Sequence, residues 1–136
     1  MALALVVAAC GDGEQRLSQA EFQEQGNAIC AAANAQAEEL FAGLPQDRQP
    51  TAEEVEEFFP EFIQISRGQI DDIAALNPPE DIQDEVATFI DDARVALDQV
   101  EDAGAEGLLS TDEGTENDSL GAQAKELGLT ECFQGP

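Results

Sequence analysis

Histidine, tryptophan and tyrosine are missing from this 136-residue chain, and basic residues are nearly so. Without histidine it lacks the side chain that most often serves as a general base near neutral pH and most often binds transition metals. Without tryptophan and tyrosine it lacks the best flat anchors for sugars and nucleobases. Its cations are Arg16, Arg48, Arg67, Arg94 and Lys125, set against 30 Asp and Glu, for a formal net charge of -25. Such a surface repels phosphate backbones and anionic lipid headgroups, which argues against nucleic-acid binding and favours cationic partners, metal ions or a saline setting. The plainest use of the acid is solvation. What is present suffices to fold: 43% of residues are apolar, too many for wholesale disorder, and the length supplies one domain with its own core but not two.

Residues 2–9 form an unbroken apolar run ending at Cys10. Eight residues are too few to cross a bilayer, which takes about 20, but they suit the hydrophobic region of an export signal. The run closes with Val7-Ala8-Ala9-Cys10, which resembles the lipobox of bacterial lipoproteins, where the cysteine sulfur is diacylated before cleavage on its amino side. Small residues at Ala8 and Ala9 suit a peptidase that takes an extended, uncrowded substrate. The expectation is a signal peptide over residues 1–9 and a lipidated Cys10 with a short flexible tether over 10–17, two acyl chains giving stable anchoring. No Lys or Arg precedes the run, so Met1 is expected to be an internal start with a basic region upstream. The competing reading is a buried amino-terminal element carrying an ordinary cysteine.

From Leu17 onward the apolar period is helical. Ser18 with Glu21 makes a capping box, followed by a stripe of Phe22, Gly26, Ile29, Ala33, Ala37, Leu40 and Leu44 that must stop near Gly43, because Pro45 follows. Thr51 with Glu54 makes a second box, opening a helix whose stripe runs from Val55 through Phe58, Phe59, Phe62, Ile63, Ile70 and Ile73 to Leu76. Pro60 lies inside it and predicts a kink or a break, since an interior proline removes one helical hydrogen bond. Asn77-Pro78-Pro79 ends this helix and starts the third, with Ile82, Val86, Phe89, Ile90, Ala93, Leu97 and Val100 on one face. That helix should end near Gly104. Residues 103–119, rich in Gly, Ser, Thr and acid, read as a mobile acidic loop at about 104–119. Ser119 then caps a short fourth helix, ended by Gly128 in a left-handed conformation. The expected fold is all-α: one domain over 18–136, an antiparallel bundle of three long helices, the second kinked at Pro60, plus a short carboxyl-terminal helix.

Three cysteines in an exported protein make an odd count until Cys10 is assigned to lipid. Cys30 and Cys132 then remain as a pair, for which a disulfide is the default in an oxidising compartment, tying the last helix back to the first. Two thiols without histidine or a CxxC spacing make a poor metal site, and redox-active pairs usually lie close together in sequence.

Leu17-Ser18-Gln19-Ala20-Glu21-Phe22, Asn27-Ala28-Ile29-Cys30 and Asn34 resemble the opening of a group of small actinobacterial-type lipoproteins of uncharacterised role. The similarity continues through Arg67-Gly68-Gln69-Ile70-Asp71-Asp72-Ile73, the turn Leu76-Asn77-Pro78-Pro79 and the ending Gly128-Leu129-Thr130-Glu131-Cys132, covering most of the chain beyond Cys10. Gly26 departs from the pattern, in which a polar or charged residue is commoner there. The resemblance implies an exported helical domain with one disulfide, and it implies no activity.

Acid pairs recur at Glu38-Glu39, Glu53-Glu54, Glu56-Glu57, Asp71-Asp72 and Asp91-Asp92. A glycosidase needs two carboxyls across a cleft, one with a raised pKa, whereas adjacent acids on an amphipathic helix are its solvated face. Residues 112–118 offer hard oxygen ligands for calcium, with Asp112, Glu116 and Asp118 as weak candidates, but without the order of an EF-hand. Arg67 and Arg94 could hold an anion, yet Asp71 lies four residues from Arg67, and Asp91 and Asp98 flank Arg94, so intrahelical ion pairs are the simpler expectation. Phe58, Phe59 and Phe62 read as core, or as the wall of an apolar ligand or peptide groove. The sequence therefore points to a non-enzymatic, membrane-anchored extracytoplasmic lipoprotein. It would have no cofactor beyond its diacylglycerol, touch the membrane through that anchor, and bind an envelope protein or small ligand. The alternative is an acidic calcium-binding or surface-buffering protein.

Overall fold

Two reciprocal caps begin the first two helices. In the computed structural model, which describes residues 15–109 and 116–132 (for 116–118 the backbone only), Ser18 Oγ accepts from the Glu21 N–H at 3.2 Å while the Glu21 carboxylate accepts from the Ser18 N–H at 2.9 Å. Thr51 and Glu54 repeat the arrangement at 3.3 and 2.9 Å. Each box satisfies two backbone donors that a bare helix start leaves open. They launch α1 (Gln19–Phe41) and α2 (Ala52–Ala74). A 3-10 turn, Glu80–Ile82, leads from the Pro78-Pro79 pair into α3 (Gln83–Leu109), and α4 (Glu116–Glu126) follows. The described residues hold helices and connections, with no strand among them.

Three sequence expectations are corrected. α2 is one continuous helix through Pro60, so of the expected kink or break the break does not occur: an interior proline removes a single hydrogen bond, and the rest of the ladder carries the helix on. α3 does reach a break at Gly104 (φ 67°, ψ -164°), a backbone conformation almost confined to glycine. Helix nevertheless resumes at once over residues 105–109, because Ala105 is buried and Leu108 and Leu109 pack with it. α4 likewise begins at Glu116, so Ser119 lies inside the helix rather than capping it. Of the loop expected at about 104–119, residues 110–115 lie outside the described residues, as do Cys10, the signal-like run and the tether as far as Glu14. The last residues assigned to that tether are docked: the Leu17 N–H donates to Asn77 O at 2.8 Å, and Arg16 Nη1 donates to Pro78 O at 3.2 Å.

α2 packs against both α1 and α3, while α4 packs on α3. The apolar side chains form two cores. One gathers Phe22 and Cys30 of α1, Ile73 of α2, Val86, Phe89, Ile90 and Ala93 of α3, and Leu120, Ala124, Leu127, Leu129 and Cys132 from the carboxyl-terminal region. The other gathers Val55, Phe58 and Ala105, with Leu40, Phe41, Leu44, Phe62, Leu108 and Leu109 half-buried around them. Phe41 meets Phe58 edge-on, with ring centroids 5.4 Å apart, a favoured arrangement for aromatic pairs.

Candidate functional site

One face of α1 is built to receive the end of the chain. Gln23, Asn27, Cys30 and Asn34 recur at helical spacing, and all four engage residues 127–132. Gln23 Nε2 donates to Leu127 O at 3.2 Å, Asn27 Nδ2 to Gly128 O at 2.9 Å, and Asn34 Nδ2 to Glu131 O at 2.8 Å. Asn27 Oδ1 accepts from the Glu131 N–H at 2.9 Å. The sulfurs of Cys30 and Cys132 lie at disulfide-bonding distance, with Cα atoms 5.0 Å apart, and Gln69 Nε2 of α2 donates to Cys30 Sγ at 3.1 Å. The expected cysteine pairing is thus present.

The local backbone explains how residues 127–132 reach that face. Gly128 has φ 78°, as expected of a left-handed stop. The Leu129 N–H bonds Ala124 O at 2.8 Å and the Gly128 N–H bonds Lys125 O at 3.1 Å, which together make a Schellman turn. The turn sends Leu129 into the core, fully buried against Gly26. A Cβ at position 26 would collide with Leu129 Cδ2, which accounts for the glycine at this position. Sequence reasoning missed Gln23 and found Asn27 and Asn34 through resemblance alone. Their signal, amides in register with a cysteine on one helical face, gains meaning once the partner segment is known.

The expected intrahelical ion pairs are not the ones formed. Arg67 of α2 reaches Glu101 at 2.5 Å and Asp98 at 3.6 Å, both on α3, and Arg94 of α3 reaches Asp71 of α2 at 3.3 Å. The two helices pack closely enough that acids across the interface are nearer than those a turn away. With each Arg side chain about half exposed, these pairs set helix register more than they add stability. At the start of α2, Arg48 meets Glu54 at 2.5 Å. The Arg48 guanidinium, helped by the Thr51 backbone, holds the Glu54 carboxyl down at about 2, and the same pairing pushes Arg48 up. Ser18, through its N–H and then its hydroxyl, lowers the Glu21 carboxyl.

Of the three phenylalanines read as core or groove, Phe58 is buried and Phe62 half-buried in the second core. Phe59 instead lines a surface depression of about 570 Å³ with Pro60, Ile63, Arg67 and Glu101. A second groove, about 600 Å³, runs between α1 and α2. A smaller hollow of about 220 Å³ between α3 and α4 is edged by Val95, which is 57% exposed. No group of three Asp, Glu or Cys side chains gathers as a metal site among the described residues. The calcium candidate Asp112 lies outside them, and Glu116 and Asp118 fall in the first turn of α4, beyond the described side chains. No helix among the described residues is long and apolar enough to cross a membrane. Compared with known proteins, the chain matches no family model, no curated protein and no solved structure.

Proposed function

We propose that this chain is a membrane-anchored extracytoplasmic lipoprotein, held by lipid on Cys10, whose helical domain is a non-enzymatic module that binds another protein or a small ligand. The observation that carries the reading is the buried Cys30–Cys132 pair. A cystine closing the domain suits an oxidising compartment. It also leaves Cys10 as the cysteine outside that pair, directly after Val7-Ala8-Ala9. The resemblance to small actinobacterial lipoproteins supports the same address. We read α1, α2 and α3 as an antiparallel bundle with α2 bent at Pro60. The contacts Leu17–Asn77, Cys30–Gln69 and Phe41–Phe58 support opposed directions for α1 and α2, as Arg94–Asp71 and Arg67–Glu101 do for α2 and α3.

The test is partitioning. Expressed with a basic region placed ahead of the apolar run, the protein should enter the detergent phase, and mass spectrometry of its amino-terminal peptide should find the acyl mass on Cys10. Cys10→Ser should release it to the aqueous phase or block processing; equal partitioning of both forms overturns the anchor. The excess of 30 acids over five cations favours a second reading, an acidic cation-binding or surface-buffering protein. Calcium titration followed by melting separates the two: a saturable shift marks a site, and a gradual rise marks screening.

A further inference from the structure

Gly26 and Gly68 are both helix-interior glycines, and one of them is explained within the chain. At Gly26 the missing side chain makes room for Leu129. At Gly68 a Cβ would meet no atom within 4 Å, although glycine is the weakest helix former after proline. Gly68 is exposed at the middle of the groove of about 600 Å³ between α1 and α2. On the α1 wall of that groove Ala28, Ala32 and Gln36, small or neutral residues one turn apart, lie beside Ile29 and Ala33. They belong to an uninterrupted uncharged stretch, residues 25–37, in a chain of net charge -25.

We propose that this groove docks an α-helix from a partner protein, seated over Gly68 as a further member of the bundle and carrying a basic residue near each end of its contact face. The α2 wall has the spacing of a helix-packing seam, Glu61, Ile65, Gly68 and Asp72 at steps of four, three and four. Short side chains at Ala28, Ala32 and Gly68 let a second backbone come close, and packed helices sit about 8–10 Å apart. Glu61 and Asp72 bracket the seam, eleven residues or about 16 Å apart on one face. No Lys or Arg lines this groove. The charge pattern therefore selects a helix with Lys or Arg about eleven residues apart and small or apolar residues between. A second copy of this acidic chain is repelled.

The inference rests on the reading of the domain as a binding module and does not depend on the lipid anchor. Its probe is a synthetic helical peptide with two Lys eleven residues apart flanking an Ala- and Leu-lined face, titrated at physiological salt. Saturable binding is expected, weakened at least about tenfold by Gly68→Leu and by Ala32→Trp, a change of about 1.4 kcal/mol. Glu-for-Lys peptides should not bind, and Gly68→Leu should melt no lower than wild type, so that lost binding is not lost folding. No saturable binding, or affinity unchanged in both variants, overturns the groove. A photo-crosslinking residue placed in intact cells at Gln36 or at Val95, on α3, separates this failure from that of the module. Adducts from Val95 and none from Gln36 overturn the groove while keeping the module, and adducts from neither overturn both.

Discussion

At one end of the helices Phe22, Cys30 and Leu129 are completely buried, with amide side chains and a cystine holding the chain's last turn against α1. At the other end the buried cluster is Val55, Phe58 and Ala105, surrounded by half-covered Leu40, Phe41, Leu44, Phe62, Leu108 and Leu109. The two ends differ in kind. The first is closed by contacts between residues about 100 positions apart, whereas the second is made from the end of α1, the first half of α2 and the short helical turn after Gly104. Local stability follows buried apolar contact and protected backbone bonds, so the second end should open first while the first reports global unfolding.

The comparison is most sharply broken by reduction. In the chain-entropy model a cystine with a sequence separation of 102 contributes about 4–5 kcal/mol, less where the native state is strained. Reduction, Cys30→Ala and Cys132→Ala should each lower the melting temperature by more than about 10 °C, without adding to one another. Free reaction of both thiols in the native protein before any reductant would show the bond absent. Next in size are the core phenylalanines. Phe22→Ala should destabilise by about 3–5 kcal/mol and Phe62→Ala by about 2 kcal/mol or less, and denaturant unfolding of the pair measures the contrast between ends. Equal losses would mean the two cores are equally tight. Gly104→Ala isolates the turn itself. A Cβ there meets no atom within 4 Å, so the strain lies in the backbone, about 1–3 kcal/mol, and hydrogen exchange should quicken over residues 105–109 without change near Phe22.

The smallest effect is acid-dependent. Glu54 has its folded pKa depressed to about 2 from a usual 4.5, chiefly by Arg48. Its contribution is therefore fully present above about pH 4.5 and fades as pH falls through 2. Amide exchange in the first turn of α2 should quicken over that window, ahead of the Phe22 core. Glu54→Gln should remove this dependence, and NMR titration of the Glu54 carboxyl checks the pKa directly.

Features written in neighbouring residues were legible in the sequence. Both capping boxes, the Pro78-Pro79 junction and the left-handed Gly128 each act within four or five positions, so spacing alone identifies them. The cysteine pair was legible through a count, once Cys10 had been set aside. Arg67 and Arg94 were misassigned because sequence spacing ranks the acid one turn away first, while packing of α2 on α3 brings Glu101 and Asp71 closer. Helix beyond Gly104 was missed for a related reason: a glycine with positive φ reads as a stop, and only the apolar cluster awaiting Leu108 and Leu109 explains why the helix resumes. The α1–α2 groove was not legible because Ala28 and Ala32 lie off the Phe22–Ala33 stripe, and spacing on one helix does not say which neighbour shares a hollow with it. Ala33 is buried, but Ala28 and Ala32 face outward.

The seat of Leu129 on Gly26 also governs timing. During synthesis α1 leaves the ribosome about 100 residues before the segment that covers it, and at about 5–20 residues per second that is a delay of about 5–20 s. Through that interval Phe22 has no Leu129, Asn27 has no backbone to hold, and Cys30 has no partner. The contacts between α1 and residues 127–132 thus cannot form until those residues have been made, and a chain cut short before Leu129 would leave that face of its first helix bare.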